Sequence, residues 1–322
     1  TSQMKIGLDV MGGDFAPVST ISGAILAHGQ LEKNDQIVLI GDRETILAEL
    51  DKNHVSPELF VIEHANEVIE MGEHPTRAIL KKPQSSISIG FELLKHKHID
   101  AFTSAGSSGA MLVGSIYSVN NIQGVIRPCT SATLPQEGGG ISLLVDVGTN
   151  PDAKPDVMYQ FGLLGAFLAE HVYKITSPRV ALLNIGHEEE KGNLSTQAAY
   201  HLMKNSKDYN FTGNIEGRDI LRNKADVIVC DGFTGNILLK NIEGMYRLMM
   251  KHGLRDEYFD RFNYENYGGT PILGVNSTVI VGHGISNNIA IKNMLLLARD
   301  VHNARLSQKI RKVLAKVPEE YL

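Results

Sequence analysis

Three consecutive glutamates and a lysine between glycines make Gly186-His187-Glu188-Glu189-Glu190-Lys191-Gly192 the sharpest chemical feature of the sequence. Packing does not call for such a run. Taken singly, the glutamates read as a solvated charged loop. Lys191 beside Gly192 is different, because one cation in a loop can hold a phosphate or a developing oxyanion. The stretch Asp231-Gly232-Phe233-Thr234-Gly235-Asn236 comes second. Gly235 and Asn236 read as the opening of a helix over Ile237 to Met250, so their amides and the Asn236 carboxamide would face a ligand. Asn236 as a plain helix cap is an equal reading. The third is Ser104-Ala105-Gly106-Ser107-Ser108-Gly109. Small residues let backbone amides approach an anion at the start of the next helix, and three hydroxyls add donors. An ordinary strand-to-helix turn explains this loop as well. His283, between Gly282 and Gly284, can donate or accept near neutral pH, although a structural hydrogen bond is the commoner fate of such a residue.

What is missing narrows the chemistry. The serine loop has no Walker lysine and does not fit G-x-G-x-x-G, so neither an ATPase nor a Rossmann dehydrogenase gains support. The 12 histidines are scattered and H-E-x-x-H is absent, which leaves little case for a metal. The Gly-x-Ser-x-Gly elbow is absent too. Cys230 sits in a strand-like run where a small buried hydrophobe is ordinary.

The elements that must carry these loops repeat one pattern: a short β-branched run, a glycine-containing polar loop, then a helix. Ile6 to Val10 runs into Met11-Gly12-Gly13-Asp14, with a helix opened by Pro17. Gln36 to Ile40, Ile99 to Thr103, Leu143 to Val147, Val180 to Ile185, Val227 to Cys230 and Thr278 to Val281 behave alike, and Leu59 to Ile62 is a further short apolar run. The alternation predicts a mainly parallel α/β sheet covered on both faces. Ligands in such sheets bind outside the carboxyl ends of the strands, so the glycine-rich loops there predict one shared site. No linker or repeat interrupts the chain, and one domain over 4–322 is the simplest reading. Asn241 to Gly269 stands out as a helical excursion, with Met245, Leu248, Met249, Leu254, Phe259 and Phe262 needing a partner in the core or in a second subunit.

With 322 residues, 43% of them hydrophobic, the chain can bury about 75% of its unfolded surface, which excludes disorder. A net charge of −5 argues against general nucleic-acid binding. The 2 cysteines cannot form a disulfide framework, and no run reaches the roughly 18 apolar residues of a membrane span, so a cytoplasmic protein is expected. Met4 reads like a native start, with Thr1-Ser2-Gln3 as an added leader.

Taken together the motifs resemble the phosphate acyltransferases of bacterial phospholipid synthesis, the PlsX family. The matching stretches are Gly7 to Asp14 with Ala16-Pro17, Thr103 to Gly109, Leu183 to Gly186 with Glu188 to Gly192, Gly213 to Asp219, Cys230 to Asn236 with Leu239-Lys240, and Tyr267 to Gly274 with His283-Gly284. They keep the family's order and run nearly from end to end. The resemblance implies that acyl-[acyl carrier protein] and inorganic phosphate give acyl phosphate and free carrier protein. It also implies a homodimer, a three-layer α/β/α fold like the isocitrate and isopropylmalate dehydrogenases, and no metal or organic cofactor. It places the catalytic lysine at Lys191 and the catalytic asparagine at Asn236. For phosphate or substrate binding we add Asp9, Gly12, Gly13, Ser104, Gly106, Ser107, Ser108, Gly109, Asp231, Thr234, Gly235 and His283 from their loop positions.

The chain departs from the family at several points. Ser107-Ser108 stands where many relatives have Asn-Thr, Thr149 and Thr270 replace the usual alanines, and the 241–269 segment is shorter and more charged than the hairpin that supports dimerisation and membrane-surface contact in relatives. The acidic carrier protein calls for a basic face. Arg247, Lys251, Arg255 and Arg261 are one candidate; Arg299, Arg305, Lys309, Arg311 and Lys312 on the last helix are the other. The competing readings are a coenzyme A-dependent phosphate acetyl- or butyryltransferase and a carrier-binding scaffold without activity.

Overall fold

Most strands form where the sequence supplies a short run that can be covered on both faces. Most helices start where a short polar side chain holds one of the first free amides, the helices at Val18, Pro75 and Pro155 being exceptions. The computed structural model describes residues 3–315. Thr1-Ser2 and the end of the 4–322 span, residues 316–322, lie outside them. The chain groups into two compact units, Thr1–Asn121 with Tyr264–Ser307, and Ile122–Asn263 with Gln308–Leu322.

The first unit begins β1 (Lys5–Asp9), α1 (Val18–His28), β2 (Gln36–Gly41), α2 (Arg43–Lys52), β3 (Val61–His64), α3 (Pro75–Lys81), α4 (Ser86–Lys95), β4 (Ala101–Ser104) and α5 (Ser108–Val119). The second unit runs β5 (Ser131–Pro135), β6 (Ile141–Val145), α6 (Pro155–His171), β7 (Arg179–Asn184), α7 (Leu194–Lys204), β8 (Asn210–Glu216), β9 (Val227–Val229), α8 (Gly232–Lys251) and α9 (Glu257–Asp260). The chain then returns to the first unit with β10 (Thr270–Pro271), β11 (Thr278–Val281) and α10 (Asn288–Asn303), before α11 (Leu306–Leu314).

The strands make two sheets where the periodicity suggested one. Their orders are β10-β11-β4-β1-β2-β3 and β5-β6-β9-β7-β8. Among the described strand pairs β10–β11 and β5–β6 are antiparallel and the others parallel, so the mainly parallel α/β class read from the sequence holds. In the first sheet Ile6, Leu8, Ile37, Leu39, Ile40 and Phe102 are fully buried. Phe102 of β4 meets Phe91 of α4 edge-on, with ring centroids 5.1 Å apart, a geometry worth about 0.5–1.5 kcal/mol beyond the area it buries. That packing joins α4 to β4, the strand whose end carries the serine loop. In the second unit α6 carries Phe161, Leu164 and Leu168 into the core, all buried.

The helical excursion is present. It consists of the end of α8, a turn at Gly253, the short α9 and a 3-10 turn over Tyr264–Asn266. Met245, Leu248 and Leu254 are exposed. The two basic faces are not arranged as the sequence suggested. Arg261 is used inside the second unit, donating to the carbonyls of Gln136 (3.0 Å) and Gly140. Arg299 lies on α10, Arg305 in a left-handed turn (φ 51°), and Lys309, Arg311 and Lys312 on α11, so these residues do not share a single helix. Among the described residues, no helix is long and apolar enough to cross a membrane.

Candidate functional site

In the first unit the candidate residues gather around one buried carboxylate. β1 ends on Asp9, which is 1% exposed. Its Oδ2 accepts the Ser104 hydroxyl at 2.7 Å, and its Oδ1 accepts the Met11 amide at 3.1 Å. Burial is the largest influence on this carboxyl and pushes its pKa up; hydrogen bonds from Ser86, Ser104, Met11 and Gly12 pull the other way. Ser104 Oγ in turn accepts the Gly106 amide at 3.0 Å. Gly12 closes the group: a Cβ there would collide with Asp9 Oδ2 and come within 2.8 Å of both Gly106 N and Ser104 Oγ. Gly13 follows, and the next amide, Asp14 N–H, donates to the Gly284 carbonyl at 2.8 Å. The Gly282 amide donates to the Ser104 carbonyl, also at 2.8 Å. These two bonds bring the His283 turn to the same end of the sheet, with His283 itself exposed.

The serines divide by role. Ser104 is consumed by Asp9 and Gly106, and Ser107 caps α5 by accepting the Ala110 amide at 3.2 Å. Ser108 is exposed. The amides of Ser108 and Gly109, at the first two positions of α5, have no acceptor among the described residues. Such amides carry the positive end of the helix dipole and suit an anion. Gly109 also allows the Pro75 side chain to lie close, 2.6 Å from where its Cβ would be.

In the second unit the sequence reading of α8 needs correction. The helix starts at Gly232, five residues earlier than expected, and Asp231 is its cap. Asp231 accepts the Thr234 amide and the Thr234 hydroxyl, each at 2.8 Å, so both polar side chains are committed to the cap. The Gly235 amide donates to the Asp231 carbonyl at 3.0 Å as part of the helix and does not point at a ligand. Gly235 is instead a contact point, since a Cβ there would strike the Asp146 carbonyl oxygen. Asn236 is the fifth residue of α8 and not a cap. Its carboxamide makes no hydrogen bond to another described residue. It lies over the loop after β6, with Nδ2 3.1 Å from where a Gly148 side chain would begin. Gly148 has φ 93°, so the loop has both the space and the backbone that glycine allows.

The residue that builds this loop, Asp146, escaped the sequence reading. It is fully buried, and its carboxylate accepts the amides of Thr130 (3.1 Å), Val147 (2.8 Å) and Asn150 (2.6 Å). Desolvation is the largest influence on it and raises its pKa against those bonds. A charged residue within the apolar run Leu143 to Val147 was the available signal. Cys230, whose thiol lies 3.6 Å from the Asp146 carbonyl, is buried, and burial pushes its pKa well up.

Lys191 sits in the loop between β7 and α7, and its side chain is exposed. Its amide donates to the Glu188 carbonyl at 3.2 Å. Glu189 is taken by Lys204 of α7 at 2.8 Å, whereas the Lys191 ammonium has no carboxylate partner among the described residues. The structure thus gathers candidates around Asp9 in one unit and around Asp146 in the other, with Lys191 in the loop after β7 of that second unit.

Comparison with known proteins gives a consistent result. A family described as "Fatty acid synthesis protein" matches residues 4–309. A phosphate acyltransferase from Syntrophomonas wolfei subsp. wolfei is 41% identical over 320 residues, covering 98% of this chain and 99% of that protein. One from Dictyoglomus turgidum is 38% identical over 335 residues, covering 98% and 99%. Among solved structures, a phosphotransacetylase from Streptococcus pyogenes superposes with a TM-score of 0.66 at 15% identity, covering 93% of this chain and 94% of that chain. At that identity the likeness concerns the fold alone.

Proposed function

The chain belongs to the fatty acid synthesis protein family, and we propose that it works as one acyltransferase over 4–322, turning long-chain acyl-[acyl carrier protein] and inorganic phosphate into acyl phosphate and free carrier protein. Relatives over nearly its whole length are phosphate acyltransferases, which makes acyl transfer with phosphate the chemistry its residues have to perform.

Phosphate is the nucleophile, so no activated serine or cysteine is required. One of its oxygens forms a bond to the thioester carbonyl carbon, and the carbonyl electrons move onto oxygen. When they return, the carbon–sulfur bond breaks, sulfur leaves with the electron pair, and the thiolate takes up, directly or through solvent, the proton that the hydrogen phosphate gives up. A thiolate is a competent leaving group because a thiol has a pKa of about 8.5. The protein's work is to orient two anionic or polar reactants and to stabilise the oxyanion. The Ser108 and Gly109 amides and the Ser108 hydroxyl suit phosphate. The Lys191 ammonium neutralises negative charge, and the Asn236 amide N–H positions phosphate or the thioester.

The observation that carries this reading is Lys191: a cation with no carboxylate partner among the described residues, in a loop where neighbouring Glu189 is paired. The same reading makes the protein a cytoplasmic homodimer whose partner, the acidic carrier protein, meets a basic face. The test is acyl phosphate formation from long-chain acyl-[acyl carrier protein] and phosphate by the wild type, Lys191→Ala and Asn236→Ala. Turnover by the wild type with a loss of roughly a hundredfold or more in either variant is expected. Unchanged rates in both variants would retain the reaction and remove these residues from it. Preference for acyl-coenzyme A would favour the coenzyme A-dependent reading, and tight carrier binding without turnover the scaffold.

A further inference from the structure

The loop that carries Lys191 is held by two buried carboxamides that the reaction itself does not call for. Asn184 ends β7 and Asn214 lies on the neighbouring β8; each is 9% exposed. Asn184 Nδ2 donates to the Lys191 carbonyl at 3.0 Å and to Asn214 Oδ1 at 3.1 Å. Asn214 Nδ2 donates to the Glu188 carbonyl at 2.9 Å, and Asn184 Oδ1 accepts the Ile185 amide at 2.9 Å. The Lys191 amide closes the turn onto that same Glu188 carbonyl. Both ends of the 188–191 turn are therefore tied to one pair of side chains.

Pairing of β7 with β8 does not depend on these bonds, because the backbone ladder already joins the strands, with Leu182 opposite Asn214 and Asn184 opposite Glu216. Buried carboxamides are tolerated when their donors and acceptors are matched, and here the side-chain N–H groups are matched to loop carbonyls. The loop holds three adjacent glutamates, of which Glu189 is paired with Lys204, beside a long, exposed lysine. Gly192, with φ 100°, gives the chain room to pass Asn184, whose Oδ1 lies 2.5 Å from where a side chain would begin.

We propose that the Asn184–Asn214 pair positions Lys191, acting through the backbone of its loop and not on the substrate. The proposal rests on the role assigned to Lys191 above. It is tested by measuring acyl phosphate formation for Asn184→Ala and Asn214→Ala, each made with Lys191 present and in a Lys191→Ala background. With Lys191 present, turnover should fall about ten- to hundredfold, the scale expected when a catalytic group is displaced by about an ångström. In the Lys191→Ala background the same changes should cost less than about twofold, because neighbours acting through one group are not additive.

A second readout needs no activity. Trypsin cleavage of the folded protein after Lys191 should rise roughly tenfold in Asn214→Ala, with other sites unchanged, because a released loop opens locally. Asn214→Asp, which keeps the shape but replaces the donor with an acceptor, serves if the alanine variant does not fold. Equal losses in both backgrounds, no loss with Lys191 present, or unchanged cleavage would overturn the proposal while leaving Lys191 its role. Lys191→Ala turning over at the wild-type rate would overturn both.

Discussion

Both units turn a buried carboxylate into the loop at the end of a strand, Asp9 as the last residue of β1 and Asp146 just after β6, yet they leave different polar groups unused. Around Asp9 the side chains satisfy one another: Ser104 goes to Asp9, Gly106 to Ser104, and Ser107 to the start of α5. What remains is backbone, the Ser108 and Gly109 amides, with one exposed hydroxyl. In the second unit Asp231 and Thr234 are likewise taken up in a cap, but the Asn236 carboxamide and the Lys191 ammonium are not. The first group is a platform of fixed dipoles, and the second holds the movable charge and donor. Substitutions in the first should therefore register mainly as stability, and in the second mainly as rate.

The largest test of that contrast is Gly12→Ala. Its Cβ would press on Asp9, Ser104 and the Gly106 amide at once, so denaturant unfolding should show a loss of about 3 kcal/mol or more. Gly148→Ala is its counterpart. The left-handed backbone alone costs about 1–2 kcal/mol, and the new methyl pushes on Asn236 Nδ2, so turnover should fall further than the lost stability accounts for. Two variants that both lost only stability would erase the distinction between the units. Next come the caps: Ser107→Ala and Asp231→Ala should each cost about 1 kcal/mol in thermal unfolding with turnover within a few fold. A folded Asp231→Ala with a hundredfold loss of rate would add Asp231 to the groups that touch substrate.

The smallest effect is on pH dependence. Burial raises the folded-state pKa of Asp9 above its unfolded value of 3.8. The folded protein then binds more protons between those two values, so this residue's contribution favours folding most below pH 3.8 and declines as pH rises through that window. Asp146 has the same sign. Asp9→Asn should flatten that part of the stability–pH curve, as read by unfolding at a series of pH values. An unchanged slope would mean that Asp9 is ionised equally in both states.

Interior strands were legible in the sequence; of the edge strands, β3 showed in part, as the apolar run Leu59 to Ile62, and the others did not. β1, β2, β4, β6, β7, β9 and β11 are apolar runs because both faces are covered. β5, β8 and β10 lie at sheet edges, and β8 is partly exposed and polar over Asn210–Glu216, without the continuous apolar run that marks a covered strand. The start of α8 was misplaced for a related reason. Gly232 and Gly235 look like turn residues, but they are glycines because the first turn of the helix packs on Asn150 and the Asp146 backbone. The Asp231-x-x-Thr234 cap was present in the sequence and hidden by them. Lys191 stood out because packing gave no reason for its type, and Asn236 because of the resemblance, a helix cap being an equal reading of it. Asp146, by contrast, was concealed inside a strand-like run and shows its role only through the amides that converge on it.

The chain's route through its two units also sets an order for its synthesis. All five strands of the second sheet lie between residues 131 and 229, so that sheet has every strand it needs once this stretch has left the ribosome. The first sheet does not, because β11 pairs alongside β4 and comes only at 278–281. Until then the nascent first unit presents the β4 edge with its ladder unmade. A product truncated anywhere between β4 and β11 keeps that edge permanently and is a template for aggregation. The sheet that is begun first is therefore the sheet that is completed last.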